Sequence, residues 1–155
     1  MGTERTSAST HVGVAPAEVM AVIADFPAYP EWATAIRSAE VTEPGGQSAD
    51  AADGRARRVR FVLDAGMIRD SYVLAYEWDG DAEVRWQLAE AGTVISSMDG
   101  GYRLSGADGG TDVTYELAVD VKIPMIGMLK RKAEKMIIDT ALRELKRRAE
   151  SLGSQ

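Results

Sequence analysis

At Pro124 the periodicity of this chain changes, and that change limits the fold more than any other feature. From Arg55 to Val121 apolar residues recur at every second position, and from Met125 to about Leu152 at every third or fourth. Side chains alternate across a strand but share a helix face at intervals of three and four. The first stretch therefore predicts a run of strands and the second one long helix of roughly 25 residues, ended by Gly153. Val59, Phe61 and Leu63 share one parity, as do Tyr72, Leu74, Tyr76 and Trp78, and then Val84, Trp86 and Leu88. Asp79-Gly80-Asp81 and Asp108-Gly109-Gly110 are tight-turn signals between strands. Met98, Tyr102 and Leu104 flank Gly100-Gly101, a pair that marks a bulge, a bend or a close backbone approach. Val113, Tyr115, Leu117, Val119 and Val121 form the cleanest alternation.

Ahead of this run, Arg5 to Val14 alternates weakly and predicts a first strand. Pro16 opens a helix to about Asp25, with Val19, Val22, Ile23 and Phe26 at helical spacing. Pro27 stops it, and Pro30 leaves Tyr29 and Trp32 on a short constrained turn or helix over Ala28 to Ala35. Ile36 to Glu43 predicts a second strand, and the Gly- and Asp-rich stretch Pro44 to Gly54 a connection. On the long helix, Leu129, Ala133, Met136, Ile137, Thr140, Ala141 and Leu145 form the apolar stripe, extended by Ala149 and Leu152, with Lys130, Arg131, Lys135, Arg143 and Arg147 mainly off it.

The 155 residues predict a single domain over 1–155 with an ordered core at about 5–152. A net charge of −6 argues against nucleic acid as a partner. Between Lys122 and Glu150, however, nine Lys or Arg stand against four Asp or Glu. That makes the last helix either a solvated basic face or a peripheral contact for an anionic membrane or acidic partner. With no Cys and one His, neither a thiolate nucleophile nor a zinc site is expected. His11 has the parity opposite Val12 and Val14 and should face solvent. No Ser elbow or phosphate loop is recognisable, no cofactor is expected, and a cytoplasmic location is the default.

This order of elements predicts an α+β fold: a curled antiparallel sheet of about six to seven strands around a long C-terminal helix. Two short helices follow the first strand. The segments ADFPAYPEW, VLAYEWDGD and KIPMIGMLKRKAEKMIIDTALRELKRR resemble the START-like helix-grip superfamily (SRPBCC). The resemblance runs from about Ser7 to Leu152 and is nearest the bacterial polyketide cyclase/dehydrase and lipid-transport family, close to its coenzyme-Q-binding branch. It implies the helix-grip fold together with carriage or cyclisation of a hydrophobic guest, and leaves the chemistry to the site.

A helix about 10–12 Å wide cannot fill a curled sheet from end to end. The residues expected around the remaining groove are Tyr29, Trp32, Phe61, Tyr72, Tyr76, Trp86, Met98, Tyr102, Tyr115, Met128 and Met136. Each either lines a ligand cavity or packs an ordinary core. Arg57 and Asp70, by parity, are the candidate polar groups of that pocket. Binding or transport of a lipid, isoprenoid quinone or polyketide-like molecule is the first functional expectation. A cyclase/dehydratase working through Asp70, Arg57 and the tyrosines is the second, and a protein-interaction module with a residual cavity the third.

Overall fold

The computed structural model describes residues 5–45, 55–66, 68–122 and 127–153, and the side chains at 127–129 lie outside that description. The predicted connection at 46–54, Met125 and the Met128 side chain therefore fall outside the described residues.

Seven strands form one antiparallel sheet: β1 Thr6–Val12, β2 Ile36–Glu43, β3 Arg58–Asp64, β4 Arg69–Asp79, β5 Glu83–Glu90, β6 Ile95–Ala107 and β7 Gly110–Val121. Their spatial order is β1-β7-β6-β5-β4-β3-β2, so the sheet is a meander with the first two strands at its opposite edges. Helix α1 spans Pro16–Ala24, a 3₁₀ turn Phe26–Ala28, α2 Tyr29–Trp32 and α3 Gly127–Gly153. The turn after Ala107 puts Asp108 and Gly109 at positive φ, +48° and +75°. Those are the paired left-handed residues that a two-residue hairpin between twisted strands requires.

Gly100 meets the expectation of a close approach. A Cβ there would stand 2.5 Å from the Glu116 carbonyl and 3.1 Å from the Trp86 ring. The absent side chain lets β6 lie close over Trp86 of β5 while pairing with β7 on its other side.

Helix α3 packs chiefly on β1, β7 and α1. Its buried face is Glu134, Ile138, Leu142, Leu145 and Ala149; Leu145 and Ala149 lie on the stripe the sequence suggests, and nearer the start of the helix the buried face is rotated from it. Met136 is 64% exposed and Ile137 38%. The cause is Glu134, which is 2% exposed. Its Oε1 accepts from the Thr6 hydroxyl at 2.7 Å and its Oε2 from the Val119 N–H at 2.8 Å. One carboxylate thus ties the helix to both β1 and β7. A pattern read from apolar residues assigns such a position to solvent. Further along α3, Lys146 donates to the His11 carbonyl and Glu150 accepts from the Gly13 N–H, fixing the helix end against the end of β1.

The opening between the two sheet edges is spanned by helices. α3 rests on β1, α1 on α3, and α2 with its 3₁₀ turn on β2. Glu144 of α3 accepts from both the N–H and the hydroxyl of Thr34, and Arg148 pairs with Glu31 at 3.1 Å. Glu134→Ala leaves the Val119 N–H and the Thr6 hydroxyl without their acceptor, so unfolding free energy in urea should fall by about 3 kcal/mol. Glu134→Gln, which keeps one acceptor oxygen, should lose less.

Candidate functional site

The concave face of the sheet beyond α3 is filled by aromatic rings. Both Phe, all three Trp and all five Tyr of the chain join one connected network. Strand alternation supplies most of them, because Phe61, Tyr72, Tyr76, Trp86, Tyr102 and Tyr115 sit on the inward parity of β3 to β7 and are all less than 10% exposed. The helical end is supplied by the Pro27–Pro30 segment. Tyr29 and Trp32 are half-buried against the core with centroids 4.9 Å apart. Tyr29 donates to the Ile23 carbonyl at 2.5 Å, which ties the turn back onto α1.

Phe26 is the hub that sequence reading left out of the site. Its centroid lies 5.1 Å from Tyr29, 4.9 Å from Tyr76, 6.0 Å from Phe61 and 6.2 Å from Trp78. It is fully buried. The available signal was its place as the last apolar residue of the α1 pattern, just before Pro27. Trp78 also belongs to the network; its indole donates to the Ala56 carbonyl, and the Arg55 guanidinium lies 5.4 Å from its ring. Met98 packs against the same core from β6.

The network carries polar tips. Burial pushes the pKa of all five tyrosines upward, and all but Tyr115 are raised further by neighbouring tyrosines in the same interior. These phenols stay neutral at physiological pH, able to donate a hydrogen bond and ill suited to act as bases. The indole nitrogens of Trp32 and Trp86 are sealed from solvent and have no hydrogen-bond partner among the described residues. A Trp N–H is a donor only, so each is a group that a partner with an acceptor atom would satisfy.

Arg57 and Asp70 depart from their expected roles. β3 starts at Arg58, so its parity does not reach back to Arg57, which is exposed. Ala56 turns inward there instead, and the Arg57 backbone bonds to Glu43 and Tyr76. Asp70 does turn inward, at 8% exposure, but its carboxylate is committed. Oδ1 accepts from the N–H groups of Ser71 and Thr93 at 3.0 and 2.7 Å, and Oδ2 from those of Val94 and Ile95 at 3.0 and 2.8 Å. Burial pushes its pKa up, and these four donors together outweigh that and hold it below the usual carboxylate range. Gly92 belongs to the same clamp, since a Cβ there would run into the Asp70 carboxylate and the Ser71 carbonyl. Asp70 organises the β5–β6 connection and has no free oxygen for a guest. Met136, expected in the lining, lies on the outer face of α3.

Much of the basic charge of α3 is internally paired. Lys130 meets Asp120 at 2.9 Å, Lys135 meets Asp139 at 3.0 Å and Lys146 meets Glu150 at 2.6 Å. Arg131, Lys132, Arg143 and Arg147 are exposed on this helix. No helix among the described residues is long and apolar enough to cross a membrane. Among those residues no cluster of His, Cys, Asp or Glu is fit to hold a metal ion. A surface hollow of about 360 Å³, bordered by Asp79, Glu83, Arg103 and Asp112, lies apart from the rings.

Comparison with known proteins places this geometry. The family model described as polyketide cyclase/dehydrase and lipid transport matches residues 3–150. A START superfamily protein from Mycobacterium smegmatis superposes with a TM-score of 0.85 at 18% identity, over 97% of this chain and 99% of that one. A structure from Thermus thermophilus gives 0.76 at 20% identity over 96% and 99%. The Zhui aromatase/cyclase of Streptomyces sp. R1128 gives 0.70 at 15% identity over 95% and 93%. At these identities the likeness is one of fold. No curated protein matches.

Folded-state phenols with raised pKa add stability that is complete below the ordinary phenol value of 10.0 and is lost as pH climbs above it. Phenolate absorbance should therefore rise together with loss of tertiary structure above about pH 10, in one cooperative step. Asp70→Ala strands four backbone donors and should lower unfolding free energy by about 3 kcal/mol in urea titrations at pH 7. Because the Asp70 pKa is depressed, its contribution is present at neutral pH and fades as pH drops below the ordinary carboxylate value of 3.8.

Proposed function

The chain belongs to the polyketide cyclase/dehydrase and lipid transport family, and from that premise we propose that it binds a hydrophobic small molecule among the rings between sheet and helices. The observation that carries this reading is the aromatic network itself. It gathers every Phe, Trp and Tyr of the chain on the concave face, with none spent elsewhere. Aromatic side chains present large apolar faces and pivot about two torsions, so a guest can insert between them where close-packed aliphatic side chains would resist. The Tyr29–Trp32 segment is the natural gate. It is a one-turn helix with Pro30 in it and Pro27 just before it, half-buried at Tyr29 and Trp32, and held to the body by the Tyr29 hydroxyl, by Glu31 on Arg148 and by Thr34 on Glu144.

Binding without chemistry is favoured over a cyclase by the state of the interior polar groups. Asp70 and Glu134 have both carboxylate oxygens engaged by protein donors, and the tyrosines are held neutral. The Zhui protein carries the name aromatase/cyclase, and a cyclase reading here would rest on tyrosine hydrogen bonding alone. Peripheral contact with an anionic membrane is a subsidiary part of the proposal, resting on Arg131, Lys132, Arg143 and Arg147 around exposed Met136.

Mass spectrometry of an organic extract of the purified protein should find a stoichiometric apolar molecule. The emptied protein should then take up an apolar probe with micromolar affinity, and Trp32→Ala should change its uptake rate at least several-fold. An extract without a guest, together with no probe uptake by the emptied protein, would return the rings to plain core packing. Flotation with phosphatidylserine-containing vesicles, lost on Lys132→Glu/Arg143→Glu, tests the membrane contact separately.

A further inference from the structure

The two unpartnered indoles say something about the guest that apolar burial does not. Trp86 is 7% exposed and lies at the crossing of β5 and β6, with its ring 5.9 Å from Tyr76, 5.5 Å from Tyr102 and 5.6 Å from Tyr115. Around its Nε1 no carbonyl, carboxylate or hydroxyl of the described residues is placed to accept. Trp32 Nε1, on α2 at the other end of the network, is in the same condition. The contrast with Trp78 is instructive: its indole is equally part of the network, yet it donates to the Ala56 carbonyl at 2.8 Å. Among the described residues one indole of three is thus satisfied, and two are sealed and unpaired.

An unpaired donor buried from water is a standing penalty, and it is removed by any guest that brings an acceptor to it. Indole has no acceptor capacity, so the requirement has one sign: the guest must supply an oxygen or nitrogen lone pair. The two donors lie on different elements, Trp32 on α2 and Trp86 on β5. Ring faces on several sides favour a flat unsaturated body, which offset or edge-on contacts hold better than a flexible chain.

Building on the binding function proposed above, we infer that Trp86 is the specificity-determining donor of the interior. Through its indole N–H, seconded by that of Trp32, it selects flat unsaturated guests bearing carbonyl or ether oxygens over hydrocarbons and acyl chains of similar size. A site built to donate a hydrogen bond discriminates against the analogue that lacks the acceptor, because the donor is then left buried and unpaired.

Fluorenone and fluorene test this, since they share a tricyclic frame and differ in one carbonyl oxygen. Equilibrium dialysis of the emptied full-length protein is run with each, and with stearate as the saturated-chain probe. Fluorenone should bind at least tenfold more tightly than fluorene or stearate. Trp86→Phe, which keeps a ring and removes the donor, should abolish the fluorenone preference while leaving fluorene affinity within about threefold, and Trp32→Phe should reduce it partly. Equal affinities of the wild-type protein for fluorenone and fluorene would overturn the inference whatever the variants do, as would tighter binding of stearate. In both cases the binding function stands. Failure of all three probes to bind overturns the selectivity, and together with an extract that holds no guest it removes the binding function as well.

Discussion

The geometry of this protein turns on a mismatch of widths. Seven strands about 4.8 Å apart make a sheet roughly 29 Å across, and one helix covers only about 10–12 Å of it. The helix cannot sit in the middle without leaving two gaps, and here it stands to one side, on β1 and β7. Glu134 fixes that position, with one oxygen on a residue of β1 and the other on the backbone of β7. Everything across the rest of the concave face follows. The uncovered strands β3 to β6 need large inward side chains to reach across the remaining depth, and they carry Phe61, Tyr72, Tyr76, Trp86 and Tyr102. The far edge needs a separate cover, which the 3₁₀ turn and α2 provide on β2.

Filling depth with aromatics brings polar atoms inside with them. Leu or Ile would have left the interior wholly apolar, whereas five phenols and three indoles introduce donors into a region of low dielectric. The chain settles some of these locally, Tyr29 on Ile23 and Trp78 on Ala56. The carboxylates inside are treated differently. Asp70 is saturated by backbone N–H groups, and Glu134 is shared between a hydroxyl and a backbone N–H. Charge in this interior serves architecture, and the unspent hydrogen-bonding capacity belongs to neutral donors.

How much of this could be read from sequence depended on what kind of neighbour each residue had. Alternation over β3 to β7 was legible because each strand has one buried face, so Phe61, Tyr76, Trp86, Tyr102 and Tyr115 lie inward as their parity requires. Pro124 and the change of period located α3, and Asp108-Gly109 located the last hairpin. The phase of α3 was legible at Leu145 and Ala149 and not in the turns before them. Its inward stripe includes a glutamate whose partners are more than 100 positions away for Thr6 and 15 for Val119, and no local pattern announces a buried carboxylate. Met136 was drawn into the stripe by its chemistry and lies outside it. Arg57 failed for a smaller reason, since alternation was carried one residue beyond the start of β3. Asp70 had the right direction and the wrong role, because its four donors come from a connection that parity does not describe.

One property of the ring network has an optical meaning. Since every Phe, Trp and Tyr of the chain belongs to one interior cluster, no surface aromatic contributes to its near-ultraviolet spectrum. Tyr76 lies 5.6 Å from Trp78 and 5.9 Å from Trp86, and Tyr29 lies 4.9 Å from Trp32. Excitation absorbed by a tyrosine is thus handed to an indole a few ångströms away, and the emitted light comes from the space between helix and sheet. The protein carries its own lamp inside the site, with no outer lights to mask a change in its colour.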